Sequence, residues 1–321
     1  MKSVVVLGGT GFIGRHVCEK LQREGWAITV PTRRAINAAR VQHLPRVTVI
    51  ETDVHDSGHL LDVLTDHDAV VNLVAILHGS EDDFERVHVE LPLSIAEACA
   101  AAGVRRVVHV SALGASPDGP SRYQRSKARG EEVLRGAGLD LTILRPSVVF
   151  GAGDRFLNLF ARLQETFPIV PLAGARTRFQ PVWVEDVAQA VAVGLRSHAL
   201  ARNLGQGSVG QTIECVGPDV FTLADLVRLA GRYGSRERAI WPLPDLLARW
   251  QAAVFELAPG EPVMSRDNLD SMSIDNVATH EHPGLSTLAI TPSSVHSVAP
   301  TYLGQRGGRS QLLNYRHSAG R

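Results

Sequence analysis

Cysteine is almost absent: Cys18, Cys99 and Cys215 are the only three in 321 residues, and no two are closely spaced. A disulfide framework needs more, and a zinc knuckle needs close pairs, so neither is expected and a reducing compartment fits. Thirteen histidines occur without metal-ligand spacing, so no metal site is expected. Net charge is also missing, with 33 basic and 33 acidic side chains. That balance removes the electrostatic case for a nucleic-acid partner. No run of 18 apolar residues could span a bilayer. The chain passes from Met1-Lys2-Ser3 straight into Val4-Val5-Val6, leaving no room for a signal peptide, so the expected location is cytoplasmic.

What is present fits a soluble globular chain of one large or two ordinary domains, 44% hydrophobic and 21% charged. Its first 150 residues alternate short runs of Val, Ile and Leu with helical stretches. Ser3–Leu7, Ala27–Thr32, Val47–Glu51, Ala69–Val74, Arg106–Val110 and Leu141–Leu144 read as strands buried on both faces. Phe12–Glu24, Ser57–Leu64, Glu81–Ala102 and Ser121–Arg135 read as the intervening helices, with Gly25 and Gly103 where two of them end. Repeated strand–helix–strand units require right-handed parallel crossovers. The expected fold is therefore α/β: a Rossmann-type doubly wound parallel sheet, with a smaller, interleaved C-terminal substrate lobe. The expected division is 1–150 for a dinucleotide-binding domain, 151–303 for the substrate or lid lobe, and 304–321 for a basic, mobile tail. Within the lobe, Leu246, Leu247, Trp250, Val254 and Leu257 share one helical face, which is expected to dock on the protein's own body, with a membrane or partner surface as the alternative.

The strongest chemical signal is Gly8-Gly9-Thr10-Gly11-Phe12-Ile13-Gly14, which follows a strand and opens a helix. Gly8 allows a tight turn, Gly11 lets backbone approach a pyrophosphate, and Gly14 lets the helix pack close. Thr10, Phe12 and Ile13 complete the phosphate-binding turn at the helix N-terminus. An NAD site wants an acid at the end of the second strand, but Thr32-Arg33-Arg34 stands there and the next acid is Glu51. Guanidiniums satisfy a 2′-phosphate and give a bare ribose little, so NADP(H) is favoured over NAD. The alternative is that Arg33 and Arg34 only solubilise a loop. Asp53 could accept from the adenine amino group with Val54 against the ring, or be a turn aspartate. Val74, Ala75 and Pro146 would line the ribose and nicotinamide half.

A second constellation is Ser111, Tyr123 and Lys127. Ser111 ends the fifth strand, at the sheet edge where ligands bind in such folds. Tyr123 and Lys127 lie four apart on one helix and face the same way. A neighbouring ammonium and an oxidised nicotinamide would both favour the phenolate, so Tyr123 could move a proton while Ser111 holds a carbonyl oxygen and Lys127 fixes the coenzyme ribose. A surface tyrosine beside a solvated lysine is the competing explanation.

Together with Asp154-Arg155-Phe156-Leu157-Asn158, Gln180-Pro181-Val182-Trp183-Val184-Glu185-Asp186-Val187, Phe255-Glu256-Leu257-Ala258-Pro259 and His282-Pro283-Gly284-Leu285, these motifs resemble the atypical branch of the short-chain dehydrogenase/reductase superfamily. More narrowly, they resemble the NADPH-binding accessory subunit family of respiratory complex I and its bacterial relatives, over nearly the whole chain. The resemblance implies a tightly held NADPH and association with a membrane respiratory complex, on the inner face of the cell membrane. Related members imply ubiquinone-linked chemistry. The functions left open are an oxidoreductase acting on a lipophilic carbonyl or quinone, a non-catalytic NADPH-loaded structural or assembly factor, and an NAD-dependent nucleotide-sugar epimerase or dehydratase.

Overall fold

A computed structural model describes residues 2–196, 207–234, 236–256 and 264–303. The strands are β1 (Ser3–Leu7), β2 (Ala27–Thr32), β3 (Val47–Glu51), β4 (Ala69–Asn72), β5 (Arg106–Val110) and β6 (Asp140–Pro146), joined by a seventh, Thr212–Cys215. They form one parallel sheet in the order β3-β2-β1-β4-β5-β6 followed by Thr212–Cys215. This is the doubly wound Rossmann order, with the chain reversing direction across the sheet between β1 and β4. Alternate side chains of β1 show why its run of valines is uninterrupted. Val4 and Val6 enter one core layer, Val5 and Leu7 the opposite one, and all four are fully buried. Both faces are covered by helices, so neither tolerates a polar residue.

The helices of this half are α1 (Phe12–Arg23), α2 (Ser57–Leu64), α3 (Glu81–Glu85), α4 (Leu91–Ala102) and α5 (Arg122–Gly136). Gly103 ends α4 in the left-handed conformation, at φ 74°. Ser121 and Gln124 form a reciprocal capping box at the start of α5. The single helix expected over Glu81–Ala102 is instead α3 and α4 joined by a π turn, Arg86–Glu90. Over five residues apolar spacing is too short a sample to separate a 3.6-residue turn from a wider one, so the sequence reads as one helix.

Beyond residue 150, a third core gathers Phe150, Leu157, Phe160, Leu172, Phe179, Leu226 and Leu303. The seventh sheet strand comes from this part of the chain and was not legible as one, because Glu214 interrupts its apolar run. Glu214 is only 3% exposed, and it accepts from Thr279 N–H and Oγ1 and from His280 N–H. A buried acid thus pins the following segment to the sheet edge. The apolar face of the Asp245–Glu256 helix corrects another expectation. Leu246 is 83% and Trp250 70% exposed, and only Ala248 and Ala252 are buried. The helix rests on small residues and turns its large ones outward. Leu257 and the basic tail 304–321 lie outside the described residues. Among the described residues, no helix is long and apolar enough to cross a membrane.

Candidate functional site

The site is assembled at the carboxyl ends of β1, β4, β5 and β6. The chain turns sharply after β1 with Gly8 at φ 80°, and Gly11 N–H donates to the Gly8 carbonyl at 3.0 Å. A Cβ on Gly14 would run into the Gly8 carbonyl and come within 2.6 Å of Gly9 Cα. Helix and loop therefore touch backbone to backbone. A Cβ on Gly8 would meet the Leu73 carbonyl carbon at 3.1 Å, so the loop after β4 is packed against the glycine turn. Gly11 caps α1 with no side-chain oxygen, and the first turn holds no acid. The amides of α1 are left for an external anion, helped by the helix dipole. Thr10, Phe12 and Ile13 line this turn, partly buried. Glycine turn, uncapped helix and close loop together fit a dinucleotide's pyrophosphate.

Arg33 and Arg34 are exposed just beyond the end of β2, and neither has an ion-pair partner among the described residues. Glu51 lies in register with Thr32 across the β2–β3 pair. Its carboxylate accepts from Ala35 N–H at 2.8 Å, bracing the short turn that follows the arginines. Asp53 takes the turn-aspartate geometry, accepting from His55 N–H at 3.1 Å, and Val54 packs on the core. Asn72, at the end of β4, accepts from Val74 N–H at 3.1 Å and is itself 1% exposed. That bond fixes the path of the loop at Val74 and Ala75. Pro146 is buried at the end of β6.

Ser111 and Lys127 meet at this same edge, and Tyr123 lies one turn before Lys127 on α5. Ser111 is 5% exposed, directly after β5, with its N–H bonded to the Leu144 carbonyl at 2.7 Å. Lys127 is 1% exposed and donates from Nζ to the Val110 carbonyl at 2.9 Å. Burial pulls its pKa down to about 8, against the pull of Glu131 one turn further on. Glu131 is fully buried. Burial works against its charge, but Arg145 donates to both its oxygens at 2.9 and 2.7 Å and holds the carboxyl below its ordinary range. Tyr123 is half-buried, with its ring against those of Phe84 and His88. Burial pushes its phenol up to about 12, and Lys127 Nζ is turned to the Val110 carbonyl.

Three residues that no motif flagged hold the C-terminal part onto the site. Asp267, 4% exposed, accepts from Arg122 N–H at 2.7 Å and Tyr123 N–H at 3.1 Å, and so caps the helix that carries Tyr123. Asn276 accepts from Ser147 Oγ at 2.6 Å and donates to the Leu113 carbonyl at 3.3 Å. Tyr302 donates to Asp154, which also accepts from Gly151, Phe156 and Asn158 amides. The Asp154–Asn158 segment, expected at the rim of a substrate cleft, is thus organised around a buried aspartate. Nothing in the local sequence around 267 or 276 could have paired it with residues about 130 or more positions away. His16, Glu19 and Glu185 bring side-chain ligand atoms within 4.8 Å of one another, with His16 Nδ1 hydrogen-bonded to Glu185 Oε1 at 2.6 Å.

The fold and the glycine turn define a dinucleotide-fold protein of the α/β class. The NAD dependent epimerase/dehydratase family matches residues 4–205, and the chain belongs to that family. Mouse NADH dehydrogenase [ubiquinone] 1 alpha subcomplex subunit 9 is 34% identical over 90% of this chain and 76% of its own length. A ceramide reductase from Caulobacter vibrioides is 29% identical over 75% of this chain and 74% of its own. Among solved structures, the Streptomyces venezuelae dTDP-glucose 4,6-dehydratase superimposes with a TM-score of 0.71 at 20% identity, covering 96% of this chain and 98% of that one. The Bacillus cereus UDP-glucuronic acid 4-epimerase gives 0.70 at 17% identity, covering 94% and 99%. These last two likenesses speak for the fold.

Proposed function

We propose that the protein binds NADP(H) along the carboxyl edge of the sheet and uses it to reduce a carbonyl of a lipophilic substrate. The observation that carries the coenzyme reading is the pairing of an uncapped α1 with two guanidiniums, Arg33 and Arg34, that have no ion-pair partner among the described residues and stand where an NAD site would place an acid. In this reading the amides of Gly11–Ile13 and the dipole of α1 hold the pyrophosphate. Gly8 and Gly14 shape the turn, Arg33 and Arg34 hold the 2′-phosphate, and Val54 with Asp53 borders the adenine. Val74, Ala75, Pro146 and Lys127 border the ribose and nicotinamide. The coenzyme supplies a hydride when bound. Tyr123 supplies the proton, Ser111 orients the carbonyl oxygen, and Lys127 holds the ribose from its buried place beneath. The ceramide reductase likeness supports a substrate with a lipid-like body. Residues 1–150 act as the coenzyme-binding unit and 151–303 as the lid.

A second reading is a coenzyme-loaded accessory subunit, seated on a respiratory assembly at the inner face of the cell membrane, whose NADPH does not turn over. It is favoured by the outward apolar face of the Asp245–Glu256 helix and by the likeness to the alpha subcomplex subunit. The deciding experiment is titration of purified protein with NADPH and NADH, followed by NADPH oxidation assays against lipophilic carbonyls and quinones. The expected result is preferential NADPH binding, with oxidation that Tyr123→Phe abolishes without weakening the affinity. An NADH preference overturns the coenzyme reading. Oxidation unaffected by Tyr123→Phe overturns the role of Tyr123, and tight binding with no turnover leaves the accessory-subunit reading.

A further inference from the structure

His88 stands in the middle of the π turn Arg86–Glu90, is 2% exposed, and was singled out by no motif. Its ring joins three elements. Nε2 accepts from Ile76 N–H at 3.1 Å, in the loop that carries Val74 and Ala75. A nitrogen that accepts must be bare, so in the neutral ring the proton sits on Nδ1. Nδ1–H then donates to Ser126 Oγ, 2.8 Å away, and Ser126 Oγ donates in turn to the Tyr123 carbonyl at 3.0 Å. The bonds run in one direction, from the loop after β4 through the imidazole to α5, and the chain closes for only one tautomer. The ring itself lies edge-on to Tyr123, with centroids 5.5 Å apart at 76°.

The backbone of the same residue is used as well. A Cβ on Gly130 would collide with the His88 carbonyl, so the π turn and α5 meet there without side chains between them. At its other end, the loop held by His88 packs on the glycine turn, through the Leu73 carbonyl carbon and Gly8. One residue therefore bridges the loop after β4 and the helix of Tyr123 and Lys127, and that loop in turn packs on the glycine turn. Burial, with Lys127 adding to it, pulls the His88 pKa down to about 2. The neutral ring is thereby favoured, in keeping with one accepting and one donating nitrogen.

We propose that His88 is a positioning residue, a neutral Nδ1–H imidazole that sets the coenzyme-side loop at a fixed height against the helix bearing Tyr123 and Lys127. The inference rests on the coenzyme reading above. Glutamine can place an acceptor near Nε2, and asparagine can place a donor near Nδ1. His88→Gln should thus keep the Ile76 bond and His88→Asn the Ser126 bond. Both variants and the full-length wild type would be titrated with NADPH by fluorescence, with thermal melting as the check on folding. His88→Gln is expected to bind within threefold of wild type, and His88→Asn about tenfold more weakly, because the Ile76 N–H is left without its acceptor. Nitrogen NMR of the histidine-labelled wild type needs no variant and should show a protonated Nδ1 and a bare Nε2, unchanged between pH 8 and pH 5. Equal losses in the two variants, or a proton found on Nε2, overturn the proposal. A wild type that binds no NADPH overturns the coenzyme reading instead.

Discussion

Two helices of twelve residues each, α1 and Asp245–Glu256, carry comparable apolar stripes and meet opposite fates. In α1, Val17, Cys18 and Leu21 are fully buried against the sheet. In Asp245–Glu256, Leu246, Leu247, Trp250 and Val254 all face outward, and the helix is seated through Ala248 and Ala252. A 3.6-residue stripe says that a face wants covering and says nothing of what covers it. For α1 the answer is supplied by neighbours in sequence, because a helix between two adjacent parallel strands has only the sheet to lie on. No such constraint fixes the later helix, which follows a separate two-stranded pair, Ala239–Pro242 with Ile169–Leu172.

The largest expected effect tests that contrast directly. Leu21→Ala should cost about 2–5 kcal/mol of stability, because a fully enclosed side chain leaves a cavity. Leu246→Ala should stay within about 0.5 kcal/mol of wild type. Urea unfolding of the two variants measures both, and equal losses would mean that the later helix is packed on the body after all.

Next in size is the charge at the end of β2. If Arg33 and Arg34 hold a 2′-phosphate, removing both to alanine should weaken NADPH on the order of 100-fold, since each charge-assisted hydrogen bond contributes about 1.5–3 kcal/mol. NADH, which lacks that phosphate, should bind as before. A parallel fall for both coenzymes would place the arginines elsewhere and give Glu51, braced on Ala35, a purely structural part.

The buried histidines of the sheet half make a third test, on pH. His88 is depressed to about 2 and His109 well below its ordinary value, both mainly by burial. Unfolded histidine takes up a proton near pH 6.5, whereas these folded ones do not. The unfolded state then binds more protons as the pH falls, so stability is full above about 6.5 and declines below it. Between pH 6.5 and 5, before most carboxylates titrate, each histidine should remove about 1.5 kcal/mol. Denaturant midpoints at pH 7, 6 and 5 would show the decline, and a flat profile would mean that one or both rings are accessible when folded.

The sheet half was legible because its signals are local. Val4–Leu7 announces a strand buried on both sides, and Gly8, Gly11 and Gly14 fall where a turn, an open approach and a close helix contact are needed. Lys127, one of three lysines, points to the same sheet edge from four residues beyond Tyr123. What escaped was long-range or polar. Asp267 capping α5, Asn276 bridging Ser147 and Leu113, and Glu214 inside the seventh strand each satisfy backbone groups far away in sequence. The hydrogen bond from Lys127 to the Val110 carbonyl is equally hidden, because helical spacing from Tyr123 gives the direction of the lysine and not its partner.

The smallest expected change in stability is also the one that says most about the outward face. Replacing Leu246 and Trp250 together by serine removes two large side chains that are 83% and 70% exposed, so folding should change by no more than about 0.5 kcal/mol. If the face seats the protein on a membrane, each side chain withdrawn from water there contributes up to about 1.5–3 kcal/mol. The double variant should then lose most of its binding to lipid vesicles while keeping its melting temperature and NADPH affinity. Trp250 reports the same event, because its emission should shift to the blue on adding vesicles to the wild type. Vesicle binding that survives the double substitution would move the contact elsewhere, and a large drop in melting temperature would return the helix to the protein's own core.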